Sequence, residues 1–475
     1  LKKKYYVQKK EFQTMRIIST SLCMIFFLSG CSFAPDYKVP AIKGANLFKE
    51  TSAHEAQWKP ASDTAGQVDQ HQWWTLYKDE RLNRLEQQAK DNNPELQAAA
   101  ARVDQASALL NKTKSNFFPA IAASGGLTAQ DNGVDEKPTH DYDVFGSISY
   151  GVDIFGRVRA ASRAANLDKQ QYQALYDQVL LLLQSNVAQS YFALASLDAE
   201  IALLQKTVTL RETSFSLVQK RFQEGEENEQ NSLRAKADLA STRAELAAVQ
   251  QKRAIVEHAL GVLLGDAPSQ VVLEQQKLPE MVPAIPVGLP SAVLERRPDI
   301  AAAQFDMAAA NERIGLARAA FFPSISLTGQ GGFSSPDLSN IFDWSSRAWM
   351  FGPTISMPLF EGGRRVADVN LAKAGFQESL ATYRQKVLVA FQEVEDALSS
   401  LRLLSVRLDQ LQQAVTAAEK AAKLSDLRYQ EGEAAYLEVL DTQRDLLTAQ
   451  RAYSQTRGEL FTTTVQLVRV LGGGW

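Results

Sequence analysis

Residues 183–226 read LQSNVAQSYFALASLDAEIALLQKTVTLRETSFSLVQKRFQEGE. Apolar side chains recur in alternating steps of four and three, at Leu183, Val187, Leu194, Leu197, Ile201, Leu204, Val208, Phe215, Val218 and Phe222. Only Ser190 and Arg211 interrupt the seam. A mean spacing of 3.5 residues is the mark of helices that pack along one stripe, as in a coiled coil. The run reaches back to Arg157 without a proline. At 1.5 Å per residue, roughly 65 residues make a rod about 100 Å long, several times the width of a compact domain. Gly225 ends the rod, and a second helical stretch over 229–264 returns the chain.

The same plan is used twice. Arg221-Phe222-Gln223-Glu224-Gly225-Glu226 is matched by Arg428-Tyr429-Gln430-Glu431-Gly432-Glu433. Asn93-Pro94-Glu95-Leu96 is matched by Arg297-Pro298-Asp299-Ile300, Phe117-Phe118-Pro119 by Phe321-Phe322-Pro323, and Leu264-Gly265 by Leu471-Gly472. Four pairs in the same order imply one supersecondary unit repeated. The second long helix, expected over 364–431, carries smaller residues in its seam, among them Val394, Ala397, Leu401, Val415 and Ala422, and its return is expected over 434–471. Between the repeats, 266–294 holds Pro268, Pro279, Pro283, Pro286 and Pro290 and reads as an extended linker. The repeats themselves span 81–265 and 295–475, and 31–80 reads as an irregular N-terminal arm.

Each repeat opens with an alanine-rich helix, over 95–116 and 295–320. The apolar period then changes to two. In Asp143–Ile154, Val144, Ile148, Tyr150, Val152 and Ile154 alternate with Asp143, Ser147, Ser149, Gly151 and Asp153. Four strands are predicted, at about 117–130, 142–155, 321–333 and 348–360, the last weakened by Pro353 and Pro358. About ten residues suffice for a tilted strand to cross a bilayer. Four strands are too few to close a barrel, and an open edge in lipid leaves backbone groups unpaired. The chain therefore has to oligomerise. Two copies would give eight strands and a filled core, three would give twelve strands and a pore.

Residues 1–30 read as a targeting segment. Six Lys/Arg precede or open an apolar run from Ile17 to Leu28, followed by Leu28-Ser29-Gly30-Cys31. The stretch resembles a bacterial lipoprotein signal, which implies lipidation of Cys31; an ordinary secretory signal is the alternative reading, and Met15 is an alternative start. The formal charge is −3, and a leader with six Lys/Arg and one Glu leaves the mature chain near −8. An acidic chain without a basic patch argues against nucleic acid. Cys23 and Cys31 are the two cysteines, so a mature chain with lipid on Cys31 has neither disulfide nor cysteine metal site. No uninterrupted apolar run of 18 residues is present to form a membrane-spanning helix.

Several motifs together resemble the TolC-like outer-membrane efflux proteins, in their lipoprotein branch. They are Trp73-Trp74, Tyr77, Asp79, Leu82 and Leu85, then Asn93-Pro94-Glu95-Leu96 and the duplicated Phe-Phe-Pro. The Cys31-Ser32-Phe33-Ala34-Pro35-Asp36-Tyr37 start and the Leu471-Gly472-Gly473-Gly474 end complete the set. The resemblance spans nearly all of 31–475. It implies an α+β membrane protein whose homotrimer forms a TolC-like duct. Each chain would give four β-strands to a 12-stranded outer-membrane β-barrel, and long coiled-coil helices to a periplasmic α-barrel. It implies a periplasmic adaptor (membrane fusion) protein and an inner-membrane resistance-nodulation-division pump as partners. No cofactor is implied beyond covalent lipid on Cys31. Ser32 after Cys31 favours outer-membrane sorting.

The resemblance also places a periplasmic gate at the second-repeat turn. Asp441 would form an acidic ring and Leu437 an apolar ring beside it. Tyr429 and Arg444 would tie neighbouring helices, and Glu438 is a further gate candidate. Ala434 stands where some relatives carry a charge. Clustered carboxylates repel one another unless a cation or Arg compensates. Glu438 and Asp441, three apart on a helix, read as a solvated face rather than an acid/base pair. His54, His71, His140 and His258 are dispersed, so no catalytic or metal constellation is indicated. The function expected is passive conduction of drugs or other toxic small molecules, not enzymatic. The alternatives are the exit duct of a type I protein-secretion system and a structural coiled-coil surface protein. The latter would lack bilayer-length strand pairs.

Overall fold

The computed structural model describes residues 33–40, 48–51, 72–131, 139–283, 285 and 296–473. Cys31, the leader and most of the N-terminal arm lie outside them. Helices α1 (Glu80–Asn92) and α2 (Pro94–Lys114) lead into strands β1 (Ala120–Gln130) and β2 (Thr139–Val152). Next come the 67-residue helix α3 (Arg157–Gln223) and its return α4 (Glu229–Leu263). The second repeat follows suit with α5 (Pro298–Ala319), β3 (Ser324–Ser335), β4 (Arg347–Ser356), the 67-residue α6 (Arg364–Gln430) and α7 (Tyr436–Val470).

The chain forms two compact units that cut across the repeats. One holds residues 102–173 and 302–384 with the N-terminal strap, the other 42–101, 174–301 and 385–475. In the first unit the strands make one antiparallel sheet in the order β1-β2-β3-β4. β2 of the first repeat pairs with β3 of the second, for example Tyr150 with Leu327. The register collects the apolar side chains in rows, Ile121 opposite Ile148 and Ile325 opposite Ile355. The other face carries Ser, Thr, Gly and Asp, such as Gly126 opposite Asp143 and Gln330 opposite Ser147. Ile121, Trp349, Phe351 and Ile355 are 67–80% exposed in the single chain.

Strand limits shift from the sequence expectation for local reasons. Ser115–Phe117 forms a helical turn and Pro119 lacks an N–H, so β1 starts at Ala120. β2 ends at Val152 because Asp153 turns to cap α3, accepting from the Val158 and Arg159 N–H groups at 3.0 and 2.9 Å. β3 likewise begins after Pro323, and β4 stops before Pro358. Residues 33–37 form a strap along α5. Phe33 stacks on Phe322 at 4.4 Å, and Phe322 on Phe155 at 5.0 Å. Arg318 and Asn311 donate to the Phe33 and Pro35 carbonyls at 3.1 and 2.8 Å.

In the second unit the core gathers at Trp73, Leu82, Phe192, Leu260, Phe461 and Leu467, all less than 2% exposed. The Trp73–Tyr77 motif is thus structural. Asp79 caps α1 through the Arg81 and Leu82 N–H groups, and Tyr77 packs on Phe192 at 4.7 Å. One 18-residue window of α3 would pass for a membrane span by composition, but 56% of it is buried inside the protein. That suits a core helix and not a lipid-facing one. The described residues of the interrepeat linker, 266–283 and 285, hold one helical turn at Pro268–Gln270, no other helix and no strand, and they are docked. Arg253 donates to the Leu273 carbonyl at 2.7 Å, and Asp198 accepts from the Gln276 N–H at 3.0 Å.

The duplication extends to backbone detail. α4 ends with the Asp266 N–H bonded to the Gly261 carbonyl, and α7 with the Gly473 N–H bonded to the Val468 carbonyl, both at 3.0 Å. This is the left-handed helix stop of the Schellman type. Gly265 and Gly472 carry its positive φ, +79° and +96°. A Cβ there would lie 2.5 Å from the Asn92 carbonyl oxygen and 2.8 Å from that of Arg296. Both conformation and close approach therefore demand glycine.

Glu86 of α1 is fully buried, and neither carboxyl oxygen has a hydrogen-bond partner among the described residues. Burial pushes its carboxyl well above the usual range. The folded state then keeps a proton that the unfolded chain releases near pH 4.5, so stability is greatest below that pH and falls as pH rises toward the folded value. Glu86→Gln removes this loss. Its thermal midpoint in detergent should exceed that of wild type at neutral pH, with the gap closing toward pH 4. The gain should approach about 1.4 kcal/mol for each pH unit between the two pKa values.

Candidate functional site

The long hairpins end in two turns built alike. The Glu226 N–H bonds to the Arg221 carbonyl at 2.9 Å, and the Glu433 N–H to the Arg428 carbonyl at 2.8 Å. Around them the second-repeat tip is seated on the first repeat. Tyr429, Tyr436, Val439 and Leu440 pack with Val218 of α3 and Ala235 of α4 in an apolar cluster. Ala434 packs against the same cluster, which gives this position an apolar role. Helix α7 accordingly has two faces. Tyr436, Val439 and Leu440 are buried, while Leu437, Asp441 and Arg444 stand on the adjoining stripe and are exposed.

Two polar ties join the repeats at this tip. The Tyr429 hydroxyl donates to Glu227 Oε2 at 3.2 Å, and the Arg221 guanidinium lies 5.2 Å above the Tyr429 ring. Burial and the Glu227 charge push the Tyr429 hydroxyl up. Burial alone would raise Glu227, but hydrogen bonds from Asn231, from the Asn228 N–H and from Tyr429 hold it below the ordinary carboxylate value. The second tie runs from Arg444 Nε to Asp238 Oδ1 at 2.9 Å. Asp238 is buried and also faces Arg211, the residue that breaks the α3 seam, at 2.9 Å. Arg211 additionally donates to Thr242 Oγ1 and to the Asp238 carbonyl. Its Nε meets the carboxylate without the alignment of a hydrogen bond, so this contact is ionic. Burial pulls the Arg211 guanidinium down, against the Asp238 charge. Tyr436 beside the pair is pushed up to about 12 by burial and by Asp238.

Of the residues singled out in the sequence, Tyr429 and Arg444 make ties between the two repeats. Glu438 instead pairs with Arg428 at 2.8 Å, inside the second repeat. Leu437 and Asp441 face outward on α7, and Asp441 makes no hydrogen bond or ion pair among the described residues. The sequence reading missed both acceptors, Glu227 and Asp238, and the apolar cluster. One signal was visible, a charged Arg211 in an otherwise apolar seam, which has to find a carboxylate when buried. Among the described residues no group of three or more His, Cys, Asp or Glu could hold a metal ion.

The sequence profile described as "Outer membrane efflux protein" matches residues 85–266 and 289–473, one segment per repeat. The chain belongs to the outer membrane efflux protein family. It is 33% identical to the cation efflux system protein CusC of Escherichia coli O6:H1, over 95% of this chain and 98% of that protein. It is 32% identical to the solvent efflux pump outer membrane protein SrpC of Pseudomonas putida, over 97% and 99%. The solved outer-membrane channel OprN superposes with a TM-score of 0.86 at 31% identity, covering 94% of this chain and 100% of that one. An open state of the Neisseria gonorrhoeae MtrE channel superposes at 0.82 with 29% identity, covering 93% and 98%. This efflux protein is thus an outer-membrane channel with the TolC-like α+β fold.

The two partners of Asp238 should respond differently to substitution. Arg444 is 52% exposed, so Arg444→Ser should lower unfolding stability by about 1 kcal/mol or less. Asp238→Ala leaves the Arg211 charge buried without its carboxylate and should cost about 3 kcal/mol or more. Denaturant or thermal unfolding of the two variants in detergent, side by side, measures the difference.

Proposed function

We propose that this channel works as a homotrimer, lipid-anchored in the outer membrane through Cys31. In this reading it is the passive exit duct for small molecules, drugs or other toxic compounds. They would be delivered by an inner-membrane resistance-nodulation-division pump through a periplasmic adaptor. The observation that carries the reading is the sheet. It has four strands, an apolar face, and two edges, β1 and β4, that no strand among the described residues pairs. In lipid those edges need partners, and three copies supply a twelve-stranded closed wall wide enough for a pore. The strap supports the anchor. It runs along α5 from Tyr37, bonded to the Gln304 carbonyl, to Phe33 at Phe322, just before β3. The chain is thereby led toward the sheet end of α5 two residues after Cys31.

Conduction through such a duct needs no catalytic group and no cofactor beyond the lipid. Its control would lie at the second-repeat tip. Leu437 and Asp441, exposed in the single chain, would meet their copies at the threefold axis, while Tyr429 and Arg444 hold each tip inward. The relatives are named for cations and for solvents at similar identity, so the cargo is set elsewhere than in this fold. Both names concern efflux, which favours this reading over a protein-secretion duct with the same architecture.

Native mass measurement of the detergent-solubilised protein should give three chains per particle; a stable monomer would contradict the reading. Mass spectrometry of the mature N-terminus should find acyl chains on Cys31, and an unmodified terminus elsewhere would remove the anchor. In planar bilayers, Asp441→Ala should lower cation selectivity. Leu437→Ala combined with Asp441→Ala should raise conductance. Unchanged selectivity and current would show that other residues line the axis.

A further inference from the structure

The ties between the repeats differ in what they leave behind when broken. From that difference we infer that α7 swings about a fixed point when the gate opens. The fixed point is a clamp in which Glu200 of α3 holds Arg451 and Gln455 of α7. Glu200 is thus the positioning residue of the gate, and the inference rests on the reading of the second-repeat tip as that gate.

At the tip, both acceptors keep partners if α7 and the last turn of α6, which carries Tyr429, move away together. Asp238 retains Arg211, and Glu227 retains Asn231 and the Asn228 N–H. The groups that depart, Arg444 and Tyr429, belong to the second repeat, and Arg444 is already half in solvent. The tie breaks without stranding a buried charge. The apolar cluster beneath it is non-directional and tolerates sliding. Glu200 is the opposite case. Its side chain is 6% exposed, and its partners are Arg451, at 2.7 and 2.8 Å, and Gln455, at 3.2 Å to each oxygen. All of them come from α7. Lifting α7 here would leave a buried carboxylate with nothing to hold it, which is the expensive way to break an ion pair.

Neighbouring contacts agree with this location. Arg451 also reaches Glu245 of α4 at 2.9 Å, so the clamp engages both helices of the first hairpin. Leu447 packs with Ile201, Leu204 and Val249 beside it. One turn further on, Gly458 lies so close to α3 that an added Cβ would collide with the Ser196 side chain, and Phe461 follows, packed on Phe192 at 5.1 Å. On the tip side, a cavity of about 700 Å³ separates Leu203, Thr207 and Leu210 of α3 from Ala422 of α6 and Gln443 and Leu446 of α7. Toward α3 the helix therefore has free volume on the tip side of the clamp and close packing on the far side, at Gly458 and Phe461. From Arg451 to Tyr436 the lever is roughly 22 Å long at 1.5 Å per residue.

The test is pulsed electron–electron distance measurement on the full-length trimer, with spin-label pairs placed within one chain. Three pairs probe the lever: Glu226 with Glu433 at the tip, Lys236 with Asp445 midway, and Ala248 with Glu459 above the clamp. The ties are released by Tyr429→Phe with Arg444→Ser. The tip pair should then lengthen, the middle pair should lengthen by less than half as much, and the upper pair should stay put. Adding Glu200→Ala to the released background should let the upper pair lengthen too, and should raise single-channel current further. Movement of the upper pair with Glu200 intact would overturn the clamp while leaving the gate reading in place. A tip pair that does not move, with unchanged current, would overturn the gate reading and the clamp with it. These two outcomes need no substitution at Glu200, so they hold even if Glu200→Ala fails to assemble.

Discussion

A sheet of four strands that cannot close on itself is the constraint from which the rest of this chain follows. Its apolar face, with Ile121, Trp349, Phe351 and Ile355 exposed, suits lipid and not water. Its two edges would leave N–H and C=O groups unpaired in that lipid, at several kcal/mol per group. In the trimeric reading, association would be a requirement of folding in the membrane, and the repeat prepares for it. Each half brings one strand pair and one long helical hairpin, and β2 and β3 join the halves by the same ladder that would join neighbouring chains.

The helical part solves a different problem. A rod of 67 residues has no compact core of its own, so it depends on a continuous stripe packed against neighbours. In α3 that stripe runs from Leu183 to Phe222 with only Ser190 and Arg211 breaking it, and none of its positions is fully exposed. Where Arg211 enters it, the structure supplies Asp238 and Thr242. The core proper gathers elsewhere in that unit, around Trp73, Phe192 and Phe461, where the two repeats and the docked linker meet.

How much of this was legible in the sequence depends on range. The α3 seam, the duplicated Gly225 and Gly432 turns and the alternation in β2 are local patterns, and their elements fall where the periods place them. Strand ends were harder, because they are fixed by single groups such as Asp153, which leaves the sheet to cap α3. The tie partners were out of reach. Glu227 lies 202 residues from Tyr429, and Asp238 lies 206 from Arg444. No periodicity marks a pairing between repeats. Arg211 in the apolar seam was visible as an interruption, and a charge buried there requires a carboxylate, but nothing local says which one.

What separates a tie that holds from one that lets go is the number of partners on each side, not the charge. Asp238 and Glu200 are equally buried, and both pair with an arginine of α7. Asp238 has a second arginine on its own side of the contact, so its α7 partner is expendable. Glu200 has none among the described residues, so its α7 partners are not. Two carboxylates on one helical hairpin thus divide α7 into a segment that can leave and a segment that cannot. A channel that must be sealed at rest, and opened without unfolding, needs both.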